Sequence, residues 1–348
     1  MAQVDQNTPL TYTPVVYTAK DFKSDQYVRW CPGCGDHGVV LALQKAMAEL
    51  GIKPHETAVI SGIGCSSRLP YYMNTYGFHT IHGRGAAIAT GVKTARPDLS
   101  VWLASGDGDS LAIGGNHFIH ALRRNVDINI LLFNNRIYGL TKGQYSPTSP
   151  RGFVSKSSPY GTVEDPFIPA ELVFGARGRF FARSLDVDQP TLVNCLKAGA
   201  RHKGAAVTEI LVNCVIFNDG THKHLANKEA RADKTILLEH GKRMIFGKNL
   251  NRGIVQDGFT LKAVTIGEDG YKLEDVLIHD AHTPSPVLHT MLAMMDGEEL
   301  PMAMGVIRDV QEPCYDESVE RQIAEVQATN STRTLRELFL KSDIWEVK

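Results

Sequence analysis

Val101-Trp102-Leu103-Ala104-Ser105-Gly106-Asp107-Gly108-Asp109 is followed, twenty-five residues after Asp109, by Asn134-Asn135 at the end of a second apolar run, Ile130 to Phe133. The apolar runs read as strands, with Gly114 to Arg124 as the crossover helix between them, so the unit is strand, carboxylate turn, helix and a strand ending in amides. Glycines let a backbone approach phosphate oxygens, a helix start offers free N–H groups, and Mg²⁺ prefers a few carboxylate, amide or carbonyl oxygens. A Gly-Asp-Gly turn by itself also occurs in ordinary polar loops. The amides on the neighbouring strand end strengthen the metal-diphosphate reading, because a parallel sheet gathers its ligands at the carboxyl ends of its strands.

Upstream, Arg29-Trp30-Cys31-Pro32-Gly33-Cys34-Gly35-Asp36 is a tight loop ahead of a helical run from His37 to Leu50. Its Cys-x-x-Cys has three readings: half of a zinc site, a redox dithiol, or half of an iron–sulfur site. The remaining cysteines, Cys65, Cys195, Cys214 and Cys314, are scattered singly, unlike a zinc ribbon with a second close pair. Cys65 follows the strand Thr57 to Ser61 and Cys214 closes the strand Ala206 to Val212, so both are expected at strand ends. Cys195 lies in an amphipathic stretch and reads as a small core residue; Cys314 receives no role. Tyr71 to His79 reads as an aromatic loop. It leads to His82-Gly83-Arg84-Gly85 and a small-residue helix, Ala86 to Thr94, a natural phosphate cradle with His82 at its entrance. His79 reads as a hydrogen-bonded structural group, and Arg84 as either an ion-pair partner or a second anion contact.

Downstream, Lys142 to Tyr160 is a long polar loop expected near the site. Helices over Phe167 to Gly175 and Gln189 to His202 alternate with strands over Arg179 to Ser184 and Ala206 to Val212. That rhythm predicts an α/β fold: a doubly wound, mainly parallel sheet with helices on both faces. Beyond Gly220 the rhythm changes, and the expected division is an N-terminal arm (1–26), a cofactor domain (27–220) and a C-terminal appendage (221–348). Within the appendage, helices are expected near Lys223 to His240, Pro284 to Met295 and Val319 to Leu340, and strands at Phe259 to Ile266 and Met304 to Val310.

With 348 residues, 43% hydrophobic, the chain is long enough for one large core. Its 37 Lys and Arg against 38 Asp and Glu give a net charge of −1, so no basic field favours nucleic acid. No stretch reaches the roughly 18 consecutive apolar residues of a membrane span, and no leader pattern opens the chain, so the expectation is a cytoplasmic protein.

Gly-Asp-Gly, the spacing, and Asn-Asn form a thiamine diphosphate signature. Asn135-Arg136-Ile137-Tyr138-Gly139-Leu140-Thr141-Lys142-Gly143-Gln144 resembles the matching stretch of 2-oxoacid:ferredoxin oxidoreductase β subunits, as do the Trp-Cys-Pro-Gly-Cys-Gly loop, Gly62-Ile63-Gly64-Cys65-Ser66 and His82-Gly83-Arg84. The resemblance covers about Trp30 to Asp219. It implies the thiamine-diphosphate-binding fold, with Asp107, the Asn135 side chain and the Ile137 carbonyl on Mg²⁺, and Asn134 a neighbour rather than a ligand. Thiamine diphosphate would be held by Ser66, His82, Gly106, Asp107, Gly108, Asp109, Asn135, Ile137, Gly139 and Leu140. Cys31, Cys34, Cys65 and Cys214 would carry one [4Fe–4S] cluster.

The activity so implied is oxidative decarboxylation of a 2-oxo acid, with coenzyme A capturing the acyl group and ferredoxin the electrons. Arg68 occupies a position suited to the far carboxylate of 2-oxoglutarate, with Leu140 tuning pocket length. Pyruvate or a broad range of 2-oxo acids is the alternative substrate reading; a non-redox thiamine decarboxylase or carboligase and a zinc-stabilised binding module are the alternative classes. This chain holds one α/β half, so the resemblance also implies an α subunit carrying the pyrimidine-binding half, in an (αβ)2 assembly.

Overall fold

The computed structural model of the chain describes residues 16–329, 334–340, 345 and 347. Most of the expected N-terminal arm, residues 1–15, lies outside the described residues. Its remainder is pinned by Phe22, fully buried at the end of a short 3-10 turn, Ala19–Phe22.

In chain order the elements are α1 (Asp36–Leu50), β1 (Thr57–Ser61), β2 (Tyr76–His79), α2 (Gly85–Ala95), β3 (Ser100–Gly106), α3 (Asp107–Leu111), α4 (Gly115–Arg124) and β4 (Asn129–Asn134). There follow α5 (Pro169–Gly175), β5 (Phe180–Leu185), α6 (Gln189–Arg201) and β6 (Ala206–Leu211). The expected strands and helices of this half are present within a residue or two at most ends. Two differences have physical causes. β2 forms where a loop was expected; all four of its residues are exposed, so it shows no buried periodicity, and it is held by parallel pairing to β1 at the sheet edge. The helix after the carboxylate turn begins at Asp107 itself and breaks before Gly114-Gly115, where the chain passes close to the Asp109 carbonyl.

Eight strands form one sheet in the order β2-β1-β3-β4-β6-β5-β11-β7, where β7 is Thr235–Leu238 and β11 is Met302–Asp309. The first six are parallel. Alternate residues of each strand serve different layers. Ile60, Leu103, Ile130, Leu132 and Val207 pack with Phe118 and Leu122 of α4 on one face. Val59, Trp102, Leu131, Phe133 and Ile210 pack with Leu43 and Met47 of α1 and Leu192 and Leu196 of α6 on the other. The chain leaves β1 outward to β2 and returns to β3 on β1's other side. The loops after β1 and β3 therefore diverge, opening a crevice at the carboxyl ends of the strands.

Beyond residue 220 come α7 (Lys223–Ala226) and α8 (Lys228–Lys234), then a small antiparallel sheet of β8 (Ile245–Phe246), β9 (Arg252–Asp257) and β10 (Thr260–Thr265). α9 (Val287–Ala293), α10 (Tyr315–Thr329) and α11 (Leu335–Phe339) complete the chain. This segment also lends two strands to the main sheet: β11 runs antiparallel to β5, and β7 extends the edge parallel to β11. The strand expected near Met304 to Val310 is thus part of the main sheet, and β7 and β9 were concealed by flanking charges.

Candidate functional site

A cavity of about 230 Å³ lies at the crevice, lined by the turn after β1 (Cys65, Ser66), His82, the turn after β3 (Gly106 to Asp109) and the loop after β4 (Asn135, Ile137 to Thr141). Ser66, His82, Gly106 to Asp109, Asn135, Ile137, Gly139 and Leu140 all line this one cavity, whereas Arg84 does not line it. Gly108 is required by close approach: a Cβ there would stand 2.2 Å from the Tyr138 ring, whose phenol donates to the Gly108 carbonyl at 2.8 Å. Burial pushes the Tyr138 phenol up to about 12, so it remains that donor across the physiological range.

The two carboxylates of the turn differ in their surroundings. Asp109 is bound on both oxygens: Oδ1 accepts from the N–H groups of Gly83 (2.7 Å) and Ile63 (3.1 Å) and from His82 Nδ1 (2.7 Å), and Oδ2 accepts from Ser105 Oγ (2.5 Å). It fastens the turn after β1 and the His82-Gly83 turn to the end of β3, and a Cβ on Gly62 would fall 1.7 Å from its oxygen. The His82 contact needs the proton on Nδ1, which leaves Nε2 as the free ring nitrogen of a side chain lining the cavity.

Asp107 is buried, and its Oδ2 accepts from Ser146 Oγ and Thr148 Oγ1 at 2.5 Å each. Among the described residues no Lys or Arg lies within ion-pair distance of it. Burial pushes its carboxyl up, against the opposing pull of the two hydroxyls. A buried carboxylate with no cation within ion-pair distance is suited to a divalent metal. Asn135 Oδ1 accepts from the Ile137 N–H at 3.2 Å, bringing the side-chain amide and the Ile137 backbone together at the cavity wall.

Behind the cavity runs a hydrogen-bond chain that was not foreseen in the sequence. Thr148 Oγ1, whose proton goes to Asp107, stands 3.0 Å from Asn134 Oδ1; Asn134 Nδ2 donates to Glu209 Oε1 (2.8 Å), and Arg183 Nε to Glu209 Oε2 (2.7 Å). Asn134 is accordingly a neighbour of the site, as expected. Arg183 and Glu209 are directly opposed on β5 and β6. An Arg and a Glu inside otherwise apolar strand runs were the available signal. The loop from Lys142 to Tyr160 supplies Ser146 and Thr148, in keeping with its expected position by the site.

The four cysteines come from three loops on the same side of the cavity. Gly35 N–H donates to the Asn213 carbonyl (3.1 Å), joining the Cys34 and Cys214 loops, and Trp30 Nε1 donates to the Cys65 carbonyl (2.7 Å). The Cys65 and Cys214 sulfurs each stand 3.6 Å from where a Cβ on Gly139 would be. Burial raises the Cys34 thiol, helped by the Asp36 carboxylate, and pushes Cys65 up to about 12. Protein alone thus disfavours the Cys34 and Cys65 thiolates, which a bound metal centre would stabilise. Among the described residues no three His, Cys, Asp or Glu side chains are disposed to hold a metal ion. A mononuclear site would require such closure at about 2.3 Å per sulfur, whereas in a four-iron cluster each thiolate binds a different iron. Cys195 is buried in the core, as expected, and Cys314 is buried far along the chain.

Arg68 and Leu140 line a second cavity of about 310 Å³ with Arg29, Tyr71, Tyr72 and His79. Gly64 and Leu140 belong to both cavities, so the two adjoin. The Arg68 guanidinium has no ion-pair partner among the described residues. His79 instead contacts the Ser67 carbonyl and Ser61 hydroxyl, the structural role expected of it.

Residues 62–210 match the thiamine pyrophosphate enzyme C-terminal TPP-binding domain family. The chain is 45% identical over 345 residues to the 2-oxoglutarate oxidoreductase subunit KorB of Mycobacterium tuberculosis, covering 98% of this chain and 92% of that one. It is 36% identical over 279 residues to the 2-oxoglutarate synthase subunit KorB of Methanothermobacter thermautotrophicus, covering 80% and 91% of the two chains. A solved structure of 2-oxoglutarate:ferredoxin oxidoreductase from Magnetococcus marinus, with 2-oxoglutarate, coenzyme A and succinyl-CoA bound, superposes with a TM-score of 0.75 at 32% identity, over 94% of this chain and 97% of that chain. With a thiamine diphosphate turn at the strand ends, a parallel sheet to carry it and relatives matched along nearly their full length, the chain belongs to the 2-oxoacid:ferredoxin oxidoreductase β-subunit family.

Proposed function

We propose that this chain is the thiamine diphosphate-binding β subunit of a 2-oxoglutarate:ferredoxin oxidoreductase, interconverting 2-oxoglutarate and coenzyme A with succinyl-CoA and CO2. The reading rests on one observation above others: the unpaired Arg68 guanidinium lines a cavity that adjoins, at Gly64 and Leu140, the one lined by Asp107 and Asn135. A dicarboxylic 2-oxo acid with its keto carbon toward the first cavity would carry its far carboxylate toward the second, where a guanidinium matches it bidentately.

When bound, thiamine diphosphate supplies the nucleophile and electron sink for decarboxylation, and a [4Fe–4S] cluster supplies a one-electron exit. The remaining work belongs to the chain. Asp107, the Asn135 amide and the Ile137 carbonyl would hold Mg²⁺ against the diphosphate, and His82, through its free Nε2, would approach the phosphate oxygens. Asp109 keeps the flanking turns in shape. Ser66, buried beside Gly106, and Gly139, between the cavity and two thiols, set how closely the cofactor and the cluster can lie. Cys31, Cys34, Cys65 and Cys214 would ligate that cluster. Residues 27–220 form the cofactor unit in this reading, with 221–348 as its extension. An α subunit supplies the pyrimidine half in an (αβ)2 assembly, and ferredoxin receives the electrons.

The test is anaerobic ferredoxin reduction by the co-expressed αβ complex with coenzyme A, comparing kcat/KM for 2-oxoglutarate and pyruvate in wild type and Arg68→Ala. The expected result is a 2-oxoglutarate preference that collapses in the variant by about 2–4 kcal/mol, the loss typical of a desolvated charge partner. Equal use of both acids, unchanged by the substitution, would make this a broad-range 2-oxoacid enzyme instead.

A further inference from the structure

A separate cavity of about 160 Å³ lies on the far side of β4 from the cofactor, between the ends of β5 and β6 and the end of α9. Its polar wall carries two guanidinium groups, Arg136 and Arg183, and its apolar wall is built from Phe167, Met294 and Met302. Arg183 is 3% exposed; its Nε is paired with Glu209 and its Nη2 donates to the Ala293 carbonyl at 3.1 Å, but its buried Nη1 has no partner.

Arg136 is less well satisfied still. Its backbone is in the left-handed region at φ 55°, held by Ser149 and Asn218 on its carbonyl, while its buried Nε is without a partner. No carboxylate among the described residues lies within ion-pair distance. Glu209 is engaged by Arg183 and Asn134; Asp296, exposed at the cavity mouth, is the remaining acid of the lining. His222, on the Arg136 side, donates Nε2–H to the Asn134 carbonyl, and burial beside Arg136 pushes it down to about 4, so it is neutral and contributes no anion. Glu209 is thus the near counter-charge for two guanidinium groups, and two largely buried cations that line one cavity and share one carboxylate are under-compensated there.

We infer that this cavity is an anion-binding site, taking a small oxyanion of the carboxylate or phosphate class on the Arg136 and Arg183 guanidinium groups. The planar fork matches such oxygens in pairs, and the apolar wall excludes water that would screen the contact. The site is distinct from the cofactor cavity, with which it shares no lining residue, but Asn134 and Thr148 line it. An anion drawn to Arg183 therefore acts at one end of the chain Arg183–Glu209–Asn134–Thr148–Asp107, whose other end is the proposed metal ligand.

The test uses the αβ complex, titrated calorimetrically with inorganic phosphate and, separately, with malonate, against chloride at matched ionic strength. Two variants accompany it. Arg136→Asn removes the guanidinium and suits the left-handed backbone; Met294→Glu places a carboxylate at the half-exposed mouth without disturbing the core. The expected result is saturable binding of at least one probe to wild type, weakened tenfold or more in both variants, with thiamine diphosphate affinity retained in Met294→Glu as evidence of folding. Heats that separate phosphate from malonate identify the class. Absence of saturable binding to wild type, as would follow if an acidic side chain of the α chain fills the cavity, overturns the proposal. So does equal binding by wild type and both variants.

Discussion

Replacing Asp109 by Ala should destabilise the chain by about 3 kcal/mol while loosening the cofactor cavity. The carboxylate accepts four hydrogen bonds, from Gly83 N–H, Ile63 N–H, His82 Nδ1 and Ser105 Oγ. These are not equal in consequence. Gly83 is buried, so its N–H loses its partner outright, at about 1–3 kcal/mol; the half-buried Ile63 N–H loses part of that. His82 is 39% exposed and regains water, whereas the buried Ser105, which accepts from Ser110 at 2.8 Å, loses the acceptor for its own proton. Removing a buried carboxylate offsets part of the cost, and the small void adds to it, leaving the sum near the upper end for one substitution. The assay is the urea midpoint of the co-purified complex, together with thiamine diphosphate affinity by calorimetry. Affinity should fall at least tenfold, because the turns at 62–64 and 82–83 are held in register by this side chain. A shift below about 1 kcal/mol with unchanged affinity would refute the reasoning, since the turns would then be shaped without it.

Asp107→Asn keeps the shape of the side chain and its two hydroxyl donors but removes the charge; Mg²⁺-dependent thiamine diphosphate binding should weaken by two orders of magnitude or so while the fold survives, checked by a Mg²⁺ titration of cofactor binding. Cys34→Ser, Cys65→Ser and Cys214→Ser should each lower the iron content and visible absorbance of anaerobically purified complex and leave thiamine diphosphate bound, whereas Cys195→Ser should leave iron unchanged. His222 is held at about 4 by burial and by Arg136. The unfolded chain therefore takes up its proton near pH 6.5 and the folded one only near pH 4, so stability falls as pH drops through this window, by roughly 3 kcal/mol at most from this group. His222→Gln retains a donor for the Asn134 carbonyl, and its stability curve should be flatter than wild type between pH 6.5 and 4; parallel curves would remove His222 as the cause.

What could be read from the sequence and what could not divide along a physical line. Asp107 and Asn135 were legible because a parallel sheet brings consecutive strand ends to one edge, and both residues follow apolar runs whose strand character is unambiguous. Cys65 and Cys214 were legible for the same reason. β2 was hidden because an edge strand with four exposed residues carries no buried alternation, and β7 because four residues between charged neighbours resemble the end of a helix. The roles of Asp109 and His82 were hidden differently. Both were marked for the cofactor from their position in motifs, yet Asp109 is consumed by contacts with residues 26 and 46 positions away, a long-range outcome that no local pattern encodes.

Arg183 and Glu209 illustrate the limit most clearly. Each interrupts an apolar strand, which in isolation argues against burial. Only the register of β5 on β6, with the two residues directly opposed, converts two exceptions into a buried pair. The consequence is functional as well as structural. The pair supports Asn134, Asn134 meets Thr148, and Thr148 holds Asp107, so the geometry of the proposed metal ligand is set partly by charges two and three strands away from the turn that announces it. The Gly-Asp-Gly turn therefore marks the proposed cofactor site, while the rigidity of its Asp107 originates partly in strand residues whose charge looks misplaced until the sheet is assembled.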